Sequence, residues 1–303
     1  MKSISTKGGT LWSPLLFLII FWCLSISSVA EDQQGSRLSE DDQGRFVVDT
    51  FIEGKGPFPF VIDTAASRTI AYRRLPVALG INAIPRRSKR ILTATGRTEA
   101  LLYPIKEITA LGRTLEIEET VAVAAPKGRA NVYGLIGIDL LRSKTLAFYL
   151  KQAKVHLFDN IRDMPGYKTW DVTQGRAVGY GSLAMVIDIE GVEVHAIIDT
   201  GASFTVMNDA AYQALPSAKE RKPQNQELRR ILSAGGISGG RTVIVENLTF
   251  GKKSYEDVKV ITSDLPIFAA FGARRAPAII LGTDVLGRDE FAIDFRNWRL
   301  YQR

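Results

Sequence analysis

The sequence predicts an all-β protein made of two similar lobes with a site in the cleft between them. Three observations predict this. The string Val61-Ile62-Asp63-Thr64-Ala65-Ala66-Ser67 returns 136 residues later as Ile197-Ile198-Asp199-Thr200-Gly201-Ala202-Ser203. Other segments repeat in the same order at nearly the same offset, which is what two copies of one domain leave behind. Between them run short apolar or alternating stretches punctuated by Gly, Pro and Asn, the pattern of strands and turns.

At the N-terminus, Lys2 and Lys7 precede the apolar run Leu15-Leu16-Phe17-Leu18-Ile19-Ile20-Phe21-Trp22, which closes in Ser28-Val29-Ala30 before Glu31. A basic start, an apolar centre and a small-x-small ending describe a secretory signal over residues 1–30. The run from 11 to 30 also matches the roughly 20 residues that span a bilayer, so an uncleaved anchor on the inner membrane is the alternative. Residues 31–44 are acidic and polar and read as a tether. The first lobe is expected over 45–159 and the second over 182–303. Met164-Pro165-Gly166 and four glycines mark 160–181 as the linker between them.

Composition narrows the chemistry. The single cysteine, Cys23, falls inside the signal, so the remaining chain of about 270 residues has no thiol for disulfides and needs a conventional core. Hydrophobic residues make up 46% of the chain, enough to supply one. The formal charge of +7 falls to +5 without Lys2 and Lys7, and it concentrates in Arg73-Arg74, Arg86 to Arg90, Arg229-Arg230 and Arg274-Arg275. These clusters read as solvated surface, or as attraction to an anionic envelope or acidic substrate. No basic-aromatic interleaving of the nucleic-acid-binding kind accompanies them, so no nucleic acid partner is expected. Two histidines, His156 and His195, and no thiol outside the signal predict no metal site and no cofactor. His195 is placed on a strand at a lobe edge. Gly236-Ile237-Ser238-Gly239-Gly240 fits a serine-hydrolase string, but no histidine follows it and no helix is expected after it.

The repeat extends well beyond the Asp-Thr strings. Phe51-Ile52-Glu53-Gly54 answers Asp188-Ile189-Glu190-Gly191, and Ile91-Leu92-Thr93-Ala94-Thr95-Gly96 answers Ile231-Leu232-Ser233-Ala234-Gly235-Gly236. Gly134-Leu135-Ile136-Gly137-Ile138-Asp139 answers Ile279-Ile280-Leu281-Gly282-Thr283-Asp284, and Leu146 to Leu150 answers Phe291 to Phe295. Short helices are expected at 210–215 and after Gly137 and Gly282. Leu265 to Phe271 reads as packing under a loop, with the lining of substrate pockets as the alternative.

With both lobes in view, residues 45–303 resemble the bilobal, retropepsin-like members of the pepsin superfamily of aspartic proteases, of the bacterial envelope type. The resemblance rests on the two Asp-Thr-(Gly/Ala)-Ala-Ser turns and the two apolar segments ending at Gly137 and Gly282. It implies an acid-protease fold and a polypeptide substrate cut by water activated between Asp63 and Asp199. Two carboxylates a few ångströms apart share a proton and titrate as a pair, one serving as base while the other donates to the peptide carbonyl. The resemblance gives Thr64 and Thr200 a bridging role under the dyad. It also makes Ser233, Gly235 and Gly236 part of a flap over the cleft. Thr93 and Gly96 are read equally as its first-lobe counterpart or as an ordinary turn. Neither hairpin has the tyrosine typical of pepsin flaps.

Two departures carry expectations of their own. Ala66 and Ala202 stand where pepsin-type enzymes have a hydroxyl, which predicts a dyad working at weakly acidic to near-neutral pH. Ala65 replaces the usual glycine. It is tolerable at negative φ and damaging otherwise. A damaged first lobe would leave a module that binds an envelope protein or peptide without cutting it. With both lobes in one chain, the protein is expected to work as a monomer, exported to the periplasm or beyond.

Overall fold

The computed structural model describes residues 35–126, 131–219 and 227–303. The expected signal, and residues 31–34 of the expected tether, lie outside these. Among the described residues no helix is long and apolar enough to cross a membrane.

The fold is all-β and bilobal. The first lobe is one sheet whose central strands are Phe46–Ile52, Lys55–Ile62, Gly134–Ile136 and Ile70–Tyr72. The second is a sheet with Ser182–Ile189, Val192–Ile198, Ala278–Leu281 and Val206–Met207 in the corresponding places. In each lobe the strand ending at the aspartate runs parallel to a later strand ending at a glycine. Val61 pairs with Leu135 in one, and Ile197 with Ile280 in the other. Residues on both faces of these strands are buried, which explains why they read as unbroken apolar runs. Phe60 and Ile62 join the main core while Val61 joins a second cluster on the opposite face.

A third sheet joins the lobes. Its order is Ser36–Arg37, Lys154–Phe158, Thr145–Tyr149, Phe291–Asp294, Arg299–Gln302 and Asp171–Gln174. At its centre Thr145–Tyr149 lies antiparallel to Phe291–Asp294, with Phe148 opposite Phe291 and their rings stacked 4.4 Å apart. Phe46 packs on both rings, so one aromatic cluster ties the two lobes to each other.

Several expectations are corrected here. The described part of the acidic tether is folded: Ser36–Arg37 pairs with Lys154–Phe158, Ser39–Glu40 pairs with Phe46–Ile52, and Leu38 is buried. Polar residues hide strand character when only alternate side chains need cover. The linker at 160–181 contributes Asp171–Gln174 to the joining sheet and Arg176–Val178 to the second lobe, with Trp170 and Met164 buried beneath. Helices occupy Asp209–Ala214, Ile138–Leu141 and Thr283–Leu286, the three places expected, and two more, at Arg74–Leu79 and Ile267–Ala270, were not foreseen. His195 is exposed on an inner strand, paired on both sides, rather than at an edge. Gly236 to Gly240 lies within the strand Gly236–Phe250, so the serine-hydrolase string has no helix behind it.

Candidate active site

Each aspartate sits at the mouth of its strand because the strand's last amide is held. Asp63 N–H donates to the carbonyl of Ile136 at 2.9 Å, and Asp199 N–H to that of Leu281 at 3.0 Å. The chain then turns sharply, and the turn is fastened from behind in the same way twice. Ile138 N–H donates to Ala66 O, and Thr283 N–H to Ala202 O, both at 2.9 Å. A Cβ at Gly137 would come within 2.3 Å of the Arg68 backbone, and one at Gly282 within 2.7 Å of the Phe204 backbone. Only glycine lets the later strand pass this close.

A second matched pair of residues locks these passages, one that the sequence reading aligned without giving it a role. Asp139 Oδ1 accepts from the amide and hydroxyl of Thr69 at 2.8 and 2.7 Å. Asp284 takes the amide and hydroxyl of Thr205 at 3.0 and 2.7 Å. Each threonine hydroxyl in turn accepts from the amide of Gly137 or Gly282. The signal was present as Gly-Ile-Asp139 beside Gly-Thr-Asp284, and Thr69 and Thr205 differ by the same 136 residues as the aspartates.

Across the lobes, Thr64 and Thr200 exchange bonds at the floor of the cleft. Thr64 Oγ1 donates to Ile198 O at 2.8 Å and Thr200 Oγ1 to Ile62 O at 2.6 Å. Each hydroxyl also accepts the other threonine's amide, at 3.1 and 3.3 Å. Both residues are fully buried, so these bonds form without competition from water. They fix the height of one aspartate relative to the other.

The two carboxyls differ in their surroundings. Asp63 Oδ1 accepts two amides, from Ala65 at 3.0 Å and Ala66 at 2.8 Å. Gly201 lies against this carboxyl so closely that a Cβ there would be 2.4 Å from Cγ. Asp199 Oδ1 accepts the Gly201 amide at 2.8 Å. Burial pushes the Asp199 carboxyl well above its ordinary 3.8, the negative charge of Asp63 adds to that, and amides from Gly201 and Ala202 together with Arg45 oppose it without prevailing. Ala65 takes no positive φ, and its methyl packs on the second lobe's apolar cluster around Val178 and Ile280. The alanine is therefore accommodated.

The expected flap residues meet over the dyad. Hairpins Ser88–Thr93/Gly96–Tyr103 and Leu228–Ser233/Gly236–Phe250 turn at Ala94-Thr95 and Ala234-Gly235, with Gly96 and Gly236 at φ 147° and 125°. Ser233 Oγ lies 3.0 Å from Thr93 Oγ1 and accepts the Thr95 amide at 3.3 Å, and Thr95 Oγ1 donates to Gly236 O at 3.2 Å. The first-lobe hairpin tip at Thr93 and Gly96 is thus bonded to the tip of the second-lobe hairpin. Beneath lies a mainly apolar cavity of about 230 Å³. Leu265, Ile267 and Phe271 line it while Phe268 packs beneath.

Arg45 was not foreseen as a site residue. It is buried on the cavity wall and held by Asp41, whose Oδ2 accepts from Nε at 2.9 Å and from Nη2 at 2.5 Å. Asp41 Oδ1 accepts the Gln43 and Arg45 amides at 3.0 Å each. Asp41 fell inside the expected tether and Arg45 at the first position of the expected lobe, where an Asp and Arg four residues apart look like ordinary polar surface. Among the described residues no cluster of His, Cys, Asp and Glu could hold a metal ion.

A family model described as aspartyl protease matches the chain twice, over residues 44–140 and again over 185–285. The chain belongs to the aspartyl protease family. Each match takes in one aspartate, its turn and the glycine passage behind it, so the family's unit is the lobe and this protein carries two. No curated protein matches the chain.

Proposed function

We propose that this aspartyl protease is an active endopeptidase whose dyad is Asp63 and Asp199. The observation that carries the reading is the cross-lobe exchange between Thr64 and Thr200, which holds the two strand ends side by side. A water seated between the carboxyls gives a proton to ionised Asp63, whose charge is stabilised by two amides. Asp199, held well above its ordinary range, carries the shared proton and donates it to the scissile carbonyl. Attack forms a tetrahedral diol with no covalent link to the enzyme. Return of a proton to the amide nitrogen lets the C–N bond break.

The cavity under the touching flaps is smaller than the roughly 300–1,000 Å³ of ordinary ligand pockets. A polypeptide therefore enters when the hairpins part and is covered when they close, which excludes bulk water. The signal expected at the N-terminus supports action on exported or envelope polypeptides, from a position at or beyond the inner membrane, and the presence of both lobes in one chain supports action as a monomer. Because Ala65 fits its turn, nothing favours the reading of an impaired binding module.

Cleavage of an unfolded protein substrate by the purified protein, measured from pH 3 to 8 beside Asp63→Asn and Asp199→Asn, tests the proposal. Turnover lost in both variants is the expected result. Activity surviving in either would place the chemistry elsewhere.

A further inference from the structure

The two flaps carry matching basic residues. Thr93 and Ser233 occupy the same place, each paired to the glycine that closes its hairpin. Three residues back along each strand are Arg90 and Arg230, and four back are Lys89 and Arg229. Their surroundings differ. Lys89 meets Glu119 at 3.0 Å, and Arg90 lies opposite Glu99 across its hairpin. Arg230 lies opposite Gly239 and has no carboxylate within ion-pair distance among the described residues. Arg229 reaches Glu227 at 3.2 Å, and its guanidinium is 6.0 Å from the centre of the Phe204 ring on the cavity wall.

Arg230 also lines the cavity, beside Ile231 and Leu232. The other lining charges are the dyad and Arg45, and Arg45 is matched by Asp41. The second lobe's mouth thus presents an exposed cation with no countercharge next to an apolar centre. Arg230 lies three strand residues before Ser233, the last residue ahead of the flap turn, about 10 Å at 3.4 Å per residue. A substrate strand beneath the flap advances at the same rate.

Building on the endopeptidase reading, we propose that Arg230, supported by Arg229, selects polypeptides with apolar residues at the scissile bond and an acidic side chain about three positions from it, on the side covered by the second flap. Exposed charge pairs are individually weak and screened by salt, so the selection is a modest, salt-sensitive preference.

The test uses the full chain carrying Asp63→Asn, which binds without turnover, and labelled peptides that are identical except for Asp, Asn or Lys at the third position on either side of an apolar pair. Fluorescence anisotropy should show the Asp peptide on one side binding roughly three- to ten-fold tighter than the Asn peptide, the gap narrowing at about 0.5 M salt. Adding Arg230→Glu should turn the preference towards Lys, which a merely structural role for the arginine would not produce. Equal affinities, no binding by any peptide, or a preference that survives the reversal would overturn the inference. Charge selection in binding with no cleavage by the unaltered protein would keep this inference and remove the endopeptidase reading. Equal cleavage of all three peptides would do the opposite.

Discussion

The backbone of Gly201 presses on the carboxyl of Asp63: a Cβ on the glycine would stand 2.4 Å from Cγ and 2.5 Å from Oδ2. One lobe's turn is thus the seat for the other lobe's carboxyl. The first lobe has Ala65 at the matching place, its methyl packed into the second lobe's apolar cluster. The two lobes share a plan, but their central turns are not interchangeable.

Gly201→Ala should therefore be far more damaging than the natural alanine at position 65. Relief requires moving either the Asp63 carboxyl or the turn, and overpacking of this kind costs about 1–3 kcal/mol. The variant is expected to fold with a lowered denaturation midpoint and to lose most of its turnover. Normal kcat in a well-folded Gly201→Ala protein would show that the contact does not hold the carboxyl in place.

The threonine exchange makes a separate prediction about stability. Thr64→Val leaves the buried carbonyl of Ile198 and amide of Thr200 without their partners, at about 1–3 kcal/mol for each unsatisfied group. Thr200→Val acts alike on Ile62 and Thr64. Because the two side chains belong to one network, the double variant should lose less stability than the single losses summed. Serine at either position keeps the hydroxyl and should recover most of it. Additive losses in urea titrations would mean the two halves of the exchange are independent.

These relationships separate what the sequence disclosed from what it hid. Duplication disclosed the aspartates, the threonines, the glycine passages and both glycine-bearing hairpins, because a short string that is meaningless once becomes specific when it recurs in matching context. Hidden features were those with no counterpart in the other lobe. Arg45 corresponds in strand register to Ser182, so no repeat drew attention to it. Strand Asp171–Gln174 alternates exposed and half-buried residues in a glycine-bearing segment, and its pairing partner, Arg299–Gln302, lies more than a hundred residues away. Asp139 and Asp284 were visible as a repeat, but their role depends on reaching Thr69 and Thr205 across a distance that only folding closes.

Asp41 and Arg45 lead to an acid-sensitivity prediction. Burial acts to raise the Asp41 carboxyl, yet bonds to Arg45 and its charge outweigh that and hold it below the ordinary 3.8. A lowered native value means that the pair stabilises the fold above pH 3.8, and that this contribution fades as pH falls through the lowered value. Asp41→Asn leaves Arg45 buried without a countercharge, a change that costs about 3–5 kcal/mol for buried pairs. The loss in melting temperature should be large at neutral pH and small at strongly acid pH. A constant loss across that range would separate the pair's contribution from its ionisation.

Asp199 follows the opposite sign. Its carboxyl is raised above 3.8 by burial first and by Asp63 second, so the native state binds this proton more tightly than the unfolded chain. Its effect on stability is thus fully favourable below pH 3.8 and is lost as pH climbs through the raised value. Asp199→Asn, uncharged throughout, should melt higher than the unaltered protein near neutral pH, with the advantage vanishing towards pH 3. The same proton sets the rate profile. In the proposed mechanism turnover needs Asp63 ionised and Asp199 protonated, so activity should rise with the first ionisation and fall with the second. Because Asp199 holds its proton well above 3.8, and Ala66 and Ala202 offer no hydroxyl to favour the ionised dyad, the maximum should lie at weakly acidic to near-neutral pH. A kcat/KM profile peaking at strongly acid pH would show that the surroundings of Asp199 do not retain the proton that the mechanism assigns to it.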